Sequence, residues 1–514
     1  MMSPGRRLQR YEPVDEGTIP DVAVILGGVE HDERLVAAAA QTGRVVVEQF
    51  DTQDRRLRAA GAAISRVEGG DDEGWHADLT GRGSGERPLR RSSSLARGRR
   101  TVPVGLRRLM WTFAGDSPLV PVARVTTDRT VHPLQSQDGE TLAVIATEQV
   151  EVERIDAGEP TRLAGWVELR LESPESDRKV FRALDERLRS LNLQRSAERP
   201  EVDHLLGTGR RVAGPRRPAT SFGPKSAVGE VVGAYVARQV HVVVATDPLV
   251  RLDVPASIHH MRVATRRLRG CLKTYRSLYD VEALADLPAE LRWLAAELGA
   301  ARDAEVLQHR LLAGHGDEPT FARPLRLAAG QLGRDYRAAH RNLLDALESD
   351  RYHALVDGLR MLAAKPQGTK TAAKRADRTG ARKVAKADRR LHRTMTAGVG
   401  LPAGVERNRA LHDARKAAKQ ARYAAEAVAP ALGKPARSFA DAMKQLQKKL
   451  GARQDAVVAQ GRLLELASNQ RWDLAFLCGQ LHAREVRRAA AVDEALDKIW
   501  RAASDEGIRA WLRA

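Results

Sequence analysis

A chain of 514 residues is too long for a single hydrophobic core, and two or three domains are expected. Apolar residues make up 43% and charged residues 29%, and no uninterrupted apolar run is long enough to cross a bilayer, a composition that reads as soluble. The net charge of +19 is lopsided: residues 1–224 hold 34 basic and 34 acidic side chains, whereas residues 225–514 hold 51 basic and 32 acidic. A neutral part joined to a strongly cationic part implies that the second meets an anionic partner. The start, Met1-Met2-Ser3-Pro4-Gly5-Arg6-Arg7, is not followed by the apolar stretch of a signal peptide. Cys271 and Cys478 lie far apart in helical patterns without metal-ligand spacing, so they read as buried thiols in a reducing compartment, the cytoplasm.

In chain order, residues 1–206 read as strands and loops. β-Branched runs such as Val45 to Val47, Val122 to Val125 and Leu142 to Ile145 are separated by turns such as Gly69-Gly70-Asp71-Asp72 and Asp138-Gly139. Helices are expected from about Glu30 to Gln41 and from Asp177 to Leu191, giving an α+β pattern rich in antiparallel hairpins. Residues 207–224 carry Gly, Pro, Arg and Ser without apolar periodicity and read as a linker. From 225 to 514 the pattern is helical throughout, with Leu291-Leu294-Leu298 and Leu343-Leu344-Leu347 at helical spacing. Pro248, Pro288 and Pro324 are expected where one helix ends and the next begins. Residues 365–393 hold eleven Lys or Arg and two Asp. They read either as a mobile basic tether or as a solvated helix extension.

A basic helical motif occurs twice. His259, Arg262, Arg266 and Arg269 recur in spacing as His412, Arg415, Lys419 and Arg422, 153 residues on, and Lys273 extends the first set by one turn. Offsets of 3, 7 and 10 positions fall within about 80° of arc on an α-helix, so each set forms one stripe on one face. Leu298-Gly299-Ala300-Ala301-Arg302-Asp303 likewise pairs with Leu450-Gly451-Ala452-Arg453-Gln454-Asp455, which implies two similar helical units at about 225–364 and 394–514. One basic stripe is ordinarily a solvated face, but solvated faces have no reason to repeat the same residue types at the same spacing. His259 and His412, with no partner ligand at a fixed local spacing, read as packing or capping residues that orient the arginines rather than as metal ligands. His260, Arg267 and Lys416 fall off the stripe and read as surface residues or groove margins.

The run Ile258-His259-His260-Met261-Arg262-Val263-Ala264-Thr265-Arg266-Arg267-Leu268-Arg269 and its second copy from Leu411 to Tyr423 closely resemble the paired signatures of the CHAD domain, the conserved histidine α-helical domain. Further pieces lie at Glu297 to Asp303 and around Leu347 to Tyr352, and the likeness covers about residues 225–510. It implies two pseudo-symmetric helical bundles and inorganic polyphosphate as ligand. The residues make an independent case: a chain of phosphates needs Arg forks and mobile Lys charges and no base-stacking rings, and aromatics are only 4% here.

The N-terminal part resembles a degenerate CYTH domain, a triphosphate-tunnel fold. The likeness rests on Phe50-Asp51-Thr52, Leu57 to Gly61, Gly74-Trp75-His76, Pro121 to Arg124, Thr127-Asp128-Arg129 and Trp166 to Leu169. It implies a closed antiparallel barrel whose lumen holds basic residues for phosphate and paired glutamates for Mg²⁺ or Mn²⁺. The chemical positions depart from that pattern. Leu8-Gln9-Arg10-Tyr11-Glu12 stands for Glu-x-Glu-x-Lys, Asp78 stands for a lysine, and Arg170 interrupts Glu168 and Glu172. The expectation is therefore a barrel without a catalytic site or required cofactor, in which Arg58, Arg66, Arg124 and Arg129 remain available for phosphate or serve only the fold.

Taken together, the leading reading is a non-catalytic, cytoplasmic polyphosphate-binding protein, at home with polyphosphate granules and with no membrane partner. A metal-dependent triphosphatase or polyphosphatase is the main alternative, and a nucleic-acid-associated protein the third. The sequence leaves oligomeric state open.

Overall fold

The computed structural model describes residues 6–14, 18–29, 35–79, 89–95, 100–174, 176–196, 221–284, 286–312, 322–364, 369–468 and 472–513. The chain divides into two compact units, Met1–Gly214 and Pro215–Ala514. Most of the expected linker, 207–220, lies outside the described residues.

The first unit is one antiparallel sheet. Its strands are β1 (Arg6–Pro13), β2 (Val36–Ala37), β3 (Gln41–Asp51), β4 (Ala62–Glu68), β5 (Gly74–Leu79), β6 (Leu89–Ser93), β7 (Val120–Gln135), β8 (Thr141–Asp156), β9 (Glu159–Pro174) and β10 (Leu193–Arg195). Their order is β10-β1-β9-β8-β7-β3-β4-β5-β6, with β2 on β7. The expected strand runs fall in β3, β7 and β8. Strands β8 and β9 meet at Ala157-Gly158, both with positive φ, the backbone that matches a two-residue hairpin to strand twist. Short helices α1 (Val22–Leu26), α2 (Arg56–Ala59), α3 (Val104–Leu109) and α4 (Trp111–Ala114) precede the long α5 (Arg178–Ser190), which bears out the helix expected from Asp177 to Leu191. Helix α5 lays Val180, Leu184 and Leu188 on Tyr11, Ile145, Leu169 and Leu171 of the sheet. At this seam Asp185 accepts from Tyr11 Oη at 2.6 Å and from Arg195 at 2.6 and 2.9 Å.

Two expectations for this unit are corrected. The sheet is open: among the described residues its outer strands, β10 and β6, are not paired to each other. Closure requires hydrogen bonding along both edges of every strand, and here the ends are a three-residue strand and a five-residue strand carrying Arg90 and Arg91, short and charged as edge strands usually are. The helix expected from Glu30 to Gln41 is also replaced. Val36–Ala37 pairs with Leu134 and Gln135, Gln41 opens β3, and residues 30–34 lie outside the described residues. Sheet pairing overrides the alanine run's helix propensity there.

The second unit is helical throughout: α6 (Val228–Arg251), α7 (Ser257–Thr274), α8 (Val281–Leu284), α9 (Leu287–Leu312), α10 (Ala322–Glu348), α11 (Asp350–Ala364), α12 (Ala381–Val399), α13 (Val405–Leu432), α14 (Lys434–Ala467), α15 (Trp472–Glu494), α16 (Leu496–Ala503) and α17 (Glu506–Arg509). Helix α6 is long and apolar enough to cross a membrane, yet Val231, Val232, Val236, Val240, Val243 and Val250 are buried inside the bundle. Pro288 and Pro324 fall at helix starts, as expected. Pro248 instead lies inside the last turn of α6, three residues before its end. The halves meet where α7 packs on α13. Gly270 and Tyr423, equivalent positions 153 residues apart, face each other so closely that a Cβ at Gly270 would stand 2.9 Å from Tyr423 Cδ2.

Residues 369–393 are no mobile tether. Val228 and Gly229 donate backbone N–H to Lys374 and Ala372, and Thr369 Oγ1 donates to the Ser277 carbonyl at 2.7 Å. A π-helical turn at Ala376–Gly380 leads into α12, which buries Val384, Ala387, Asp388 and Leu391. Basic composition masked an amphipathic face. Asp388 accepts from the buried Arg509 guanidinium at 3.0–3.2 Å, fastening α12 to the C-terminal end. Removing one partner of a buried ion pair costs about 3–5 kcal/mol. Asp388→Ala is therefore expected to lower the helical melting transition followed at 222 nm by several degrees, whereas Lys386→Ala on the same helix should leave it nearly unmoved.

Candidate functional site

The two stripes lie on α7 and α13, whose crossing brings part of each into one site. Both helices turn Ala and Leu inward, with Met261, Ala264, Leu268, Ala414, Ala417, Ala418 and Ala421 buried, which leaves the cations on the remaining arc. Burial pulls the half-buried Lys419 ammonium down to about 7, with Arg415, Arg266 and Arg262 adding to the effect and Asp455 opposing it. Burial also lowers Arg262, with Arg266, Arg302 and Arg415 pressing the same way against Asp303. Each half therefore contributes cations felt by the other, and Arg262, Arg266, Arg415 and Lys419 form a single cluster.

The repeated Leu-Gly-x-x-x-Asp segments explain how the cluster is held. A Cβ at Gly299 would stand 3.6 Å from Arg262 Nη2, and one at Gly451 would stand 3.3 Å from Arg415 Nη2. Each guanidinium thus lies against a glycine of the next long helix, α9 or α14. One helical turn on, Asp303 reaches Arg262 Nη1 at 3.3 Å and Asp455 reaches Arg415 Nη2 at 3.5 Å. The same arginine–glycine–aspartate arrangement is built twice. Sequence reading found the repeated glycine and aspartate without seeing their task, and the signal was the repeat itself.

The histidines flank the cluster. Burial lowers His259, aided by Arg302, Arg266 and His260, and burial lowers His412, aided by Lys416 and Arg415. His412 Nδ1 is buried without a hydrogen-bond partner among the described residues, so it orients none of the described arginines through that atom. Other members of the stripes are placed elsewhere. Burial lowers Arg269, and its charged neighbour is Arg292. Lys273 is exposed in the last turn of α7. Arg422 is tied to Glu426 at 2.7 Å and Gln447 at 3.2 Å. Arg267 is not a plain surface residue: its Nε donates to Glu426 Oε2 at 3.0 Å, where Tyr235 Oη also donates at 3.0 Å. Burial pushes the Glu426 carboxyl up, but Arg267 and Arg422 outweigh it and hold it below its ordinary value. His260 and Lys416 are exposed, as expected, with Lys416 on Asp413 at 3.1 Å.

In the sheet unit the four candidate arginines do not gather at one site, and the two that meet, Arg66 and Arg124, do so across Glu48. Arg66 contacts Glu48 at 3.4 Å and Glu68, and Arg124 contacts Glu48 at 3.0 Å and Glu153 at 3.3 Å. Arg129 contacts Glu148 at 3.1 Å. Arg58 lies apart, beside Arg55, Asp51 and Asp78 at a small cavity of about 130 Å³. The interrupted glutamate strand is β9, where Arg170 reaches Glu148 at 3.0 Å and Glu172 at 3.4 Å while Arg10 stands 3.8 Å from Glu168. Divalent metal does not fit these carboxylates, because Glu48, Glu148 and Glu168 each already face an arginine from a neighbouring strand and a second cation would be repelled. Asp78 is likewise bound by Arg90 at 2.8 Å.

Residues 234–464 match the model of the CHAD domain. The chain is 30% identical over 474 residues, 88% of each partner, to the uncharacterized protein Rv2226 of Mycobacterium tuberculosis (strain ATCC 25618 / H37Rv) and equally to the uncharacterized protein MT2285 of strain CDC 1551 / Oshkosh. Two solved structures are similar. PptA from Streptomyces chartreusis is 23% identical, with 54% of this chain and 100% of that one covered at a TM-score of 0.45. The CHAD domain from the plant Ricinus communis is 25% identical, with 58% and 96% covered at a TM-score of 0.45. An all-helical duplicated unit carrying paired basic stripes is the class defined by fold and site. The chain belongs to the CHAD-domain family.

A lysine with its pKa near 7 is directly observable. In a titration of the lysine Cε and Nζ resonances, one lysine signal should move with a midpoint near 7 and vanish in Lys419→Met. Because Asp455 raises this pKa, Asp455→Asn should shift the midpoint further down.

Proposed function

We propose that the helical unit binds inorganic polyphosphate in the cluster formed by Arg262, Arg266, Arg415 and Lys419. The observation that carries this reading is the meeting of cations from both halves of the duplication, where Lys419 is lowered first by burial and then by Arg415 and by Arg266 and Arg262 of the other half. Four partly desolvated cations facing two carboxylates, Asp303 and Asp455, are mutually repelled while the site is empty. A linear polyanion relieves that repulsion and draws on both Arg forks and a mobile Lys charge. Single-stranded nucleic acid would in addition use aromatic rings for stacking, and aromatic residues are only 4% of this chain. The sheet unit is proposed as a non-catalytic partner, since its arginines and glutamates neutralise one another. Two free, buried thiols, Cys271 and Cys478, accord with a cytoplasmic setting.

Charge-assisted bonds are worth about 1.5–3 kcal/mol each. Arg262→Glu with Arg415→Glu should weaken binding of long-chain polyphosphate more than tenfold and flatten its salt dependence, read by isothermal titration at several ionic strengths. Unchanged affinity would overturn the assignment. Tripolyphosphate with Mg²⁺ or Mn²⁺ should release no phosphate above background, and metal-dependent release lost in Glu168→Gln would favour the enzyme reading.

Binding should also fall with pH. Phosphate favours the charged ammonium of Lys419, so above pH 7 the complex takes up a proton that the empty site lacks. Affinity then declines as pH rises from 7 to 9, by at most about tenfold per pH unit for one proton. Lys419→Arg, permanently charged, should remove that slope.

A further inference from the structure

Beside the cluster lies a cavity of about 510 Å³ between α6 and α7, closed at one side by Glu426 of α13. Its polar lining is Arg238, Gln239, His259, His260 and Arg267, over a floor of Val242, Val263 and Ala264. Arg238 is exposed, rests over the Tyr235 ring at 5.3 Å and has no carboxylate partner among the described residues. Gln239 is 96% buried, yet no hydrogen bond to its side-chain amide is made among the described residues, and it lines this cavity. The one carboxylate present, Glu426, is already neutralised by Arg267 and Arg422. What remains open to a ligand is the Arg238 guanidinium, the imidazoles of His259 and His260 and the Gln239 amide. His259 belongs to both places: it lines the cavity and is acted on by Arg266 and Arg302 from the cluster side.

In the second half the matching positions are filled differently. Positions 153 residues on from Arg238 and Gln239 are Leu391, fully buried, and His392, whose ring meets Trp500 of α16 at 4.9 Å. The position matching His260 is Asp413, and that matching Val263 is Lys416, which is paired with it. Helix α16 thus meets the second half at the position where the first half lines its cavity with Gln239, and a carboxylate stands where the first half has a histidine.

We propose that this cavity is a second phosphate subsite, which receives the stretch of polyphosphate leaving the cluster past His259 and is held by Arg238, His260 and the Gln239 amide. The proposal rests on the reading of the cluster as the polyphosphate site. Because the subsite exists in one half only, the bound chain has a preferred end of exit. Chains too short to leave the cluster gain nothing from it.

The test compares long-chain polyphosphate with tripolyphosphate on the full chain. Arg238→Glu with His260→Glu changes two exposed side chains and should weaken long-chain binding about tenfold, consistent with the loss of one or two charge-assisted bonds, while leaving tripolyphosphate affinity within about twofold. Arg323→Glu with Arg326→Glu, exposed on α10, makes at least as large a change in net charge and should affect neither probe. Equal losses for both probes, losses matched by the Arg323/Arg326 variant, or no loss with long chains would each overturn the subsite. Failure of the cluster reading itself is separate: it would show as retained binding in Arg262→Glu with Arg415→Glu.

Discussion

The site depends on the close crossing of α7 and α13. Two helices that each carry a row of cations repel one another, and that repulsion must be offset by contacts elsewhere along the same crossing. Gly270 provides the close approach, since any side chain there would collide with Tyr423. Below it, Tyr275 Oη donates to the Ala424 carbonyl at 2.8 Å, and Glu426 gathers Arg267, Arg422 and Tyr235. Opposite charge is thus placed at one end of the crossing, and like charge is left exposed at the other. The energy that holds the cations together is supplied by apolar packing, by Glu426 and by Asp303 and Asp455, two carboxylates against four cations, which leaves a net positive field for a ligand.

Not every basic residue on a repeated stripe serves the same end. Positions 262/415 and 266/419 converge, whereas 269 and 422 diverge: the first lies beside Arg292 and the second is bound to Glu426. A stripe is a property of one helix, and a cluster is a property of a crossing. Only the residues near the crossing on the open side can belong to both. The same distinction separates the two units. The sheet has arginines in several strands, but register sets Arg124 and Arg66 opposite Glu48 and Arg129 opposite Glu148, so its charges are consumed within the sheet.

Much of this was legible in the sequence. The division into a neutral and a cationic part, the strands at Val45, Val122 and Leu142, and the duplicated stripe all follow from composition and period. What was not legible depended on long-range pairing. The alanine run after Glu30 reads as helix by propensity, but part of it is drawn into β2 by β7. The basic stretch before Arg393 reads as solvated because charge dominates its composition, although Val384, Ala387 and Leu391 recur at helical spacing on a buried face. Arg267 and Glu426 are 159 residues apart, a separation no local pattern reveals. The closed barrel was implied by resemblance alone, and the described edges of the sheet do not meet.

The three donors on Glu426 come from α6, α7 and α13, so this carboxylate accepts from both halves of the duplication. A chain ending before α12 would leave the Arg267 guanidinium and the Tyr235 hydroxyl without their acceptor, and would expose the buried surface of α7 that Tyr423 covers. The repeat is therefore visible as two copies in the sequence, but the two copies share a buried polar junction and complete each other's packing. During synthesis the first copy gains these contacts only once α13 has emerged.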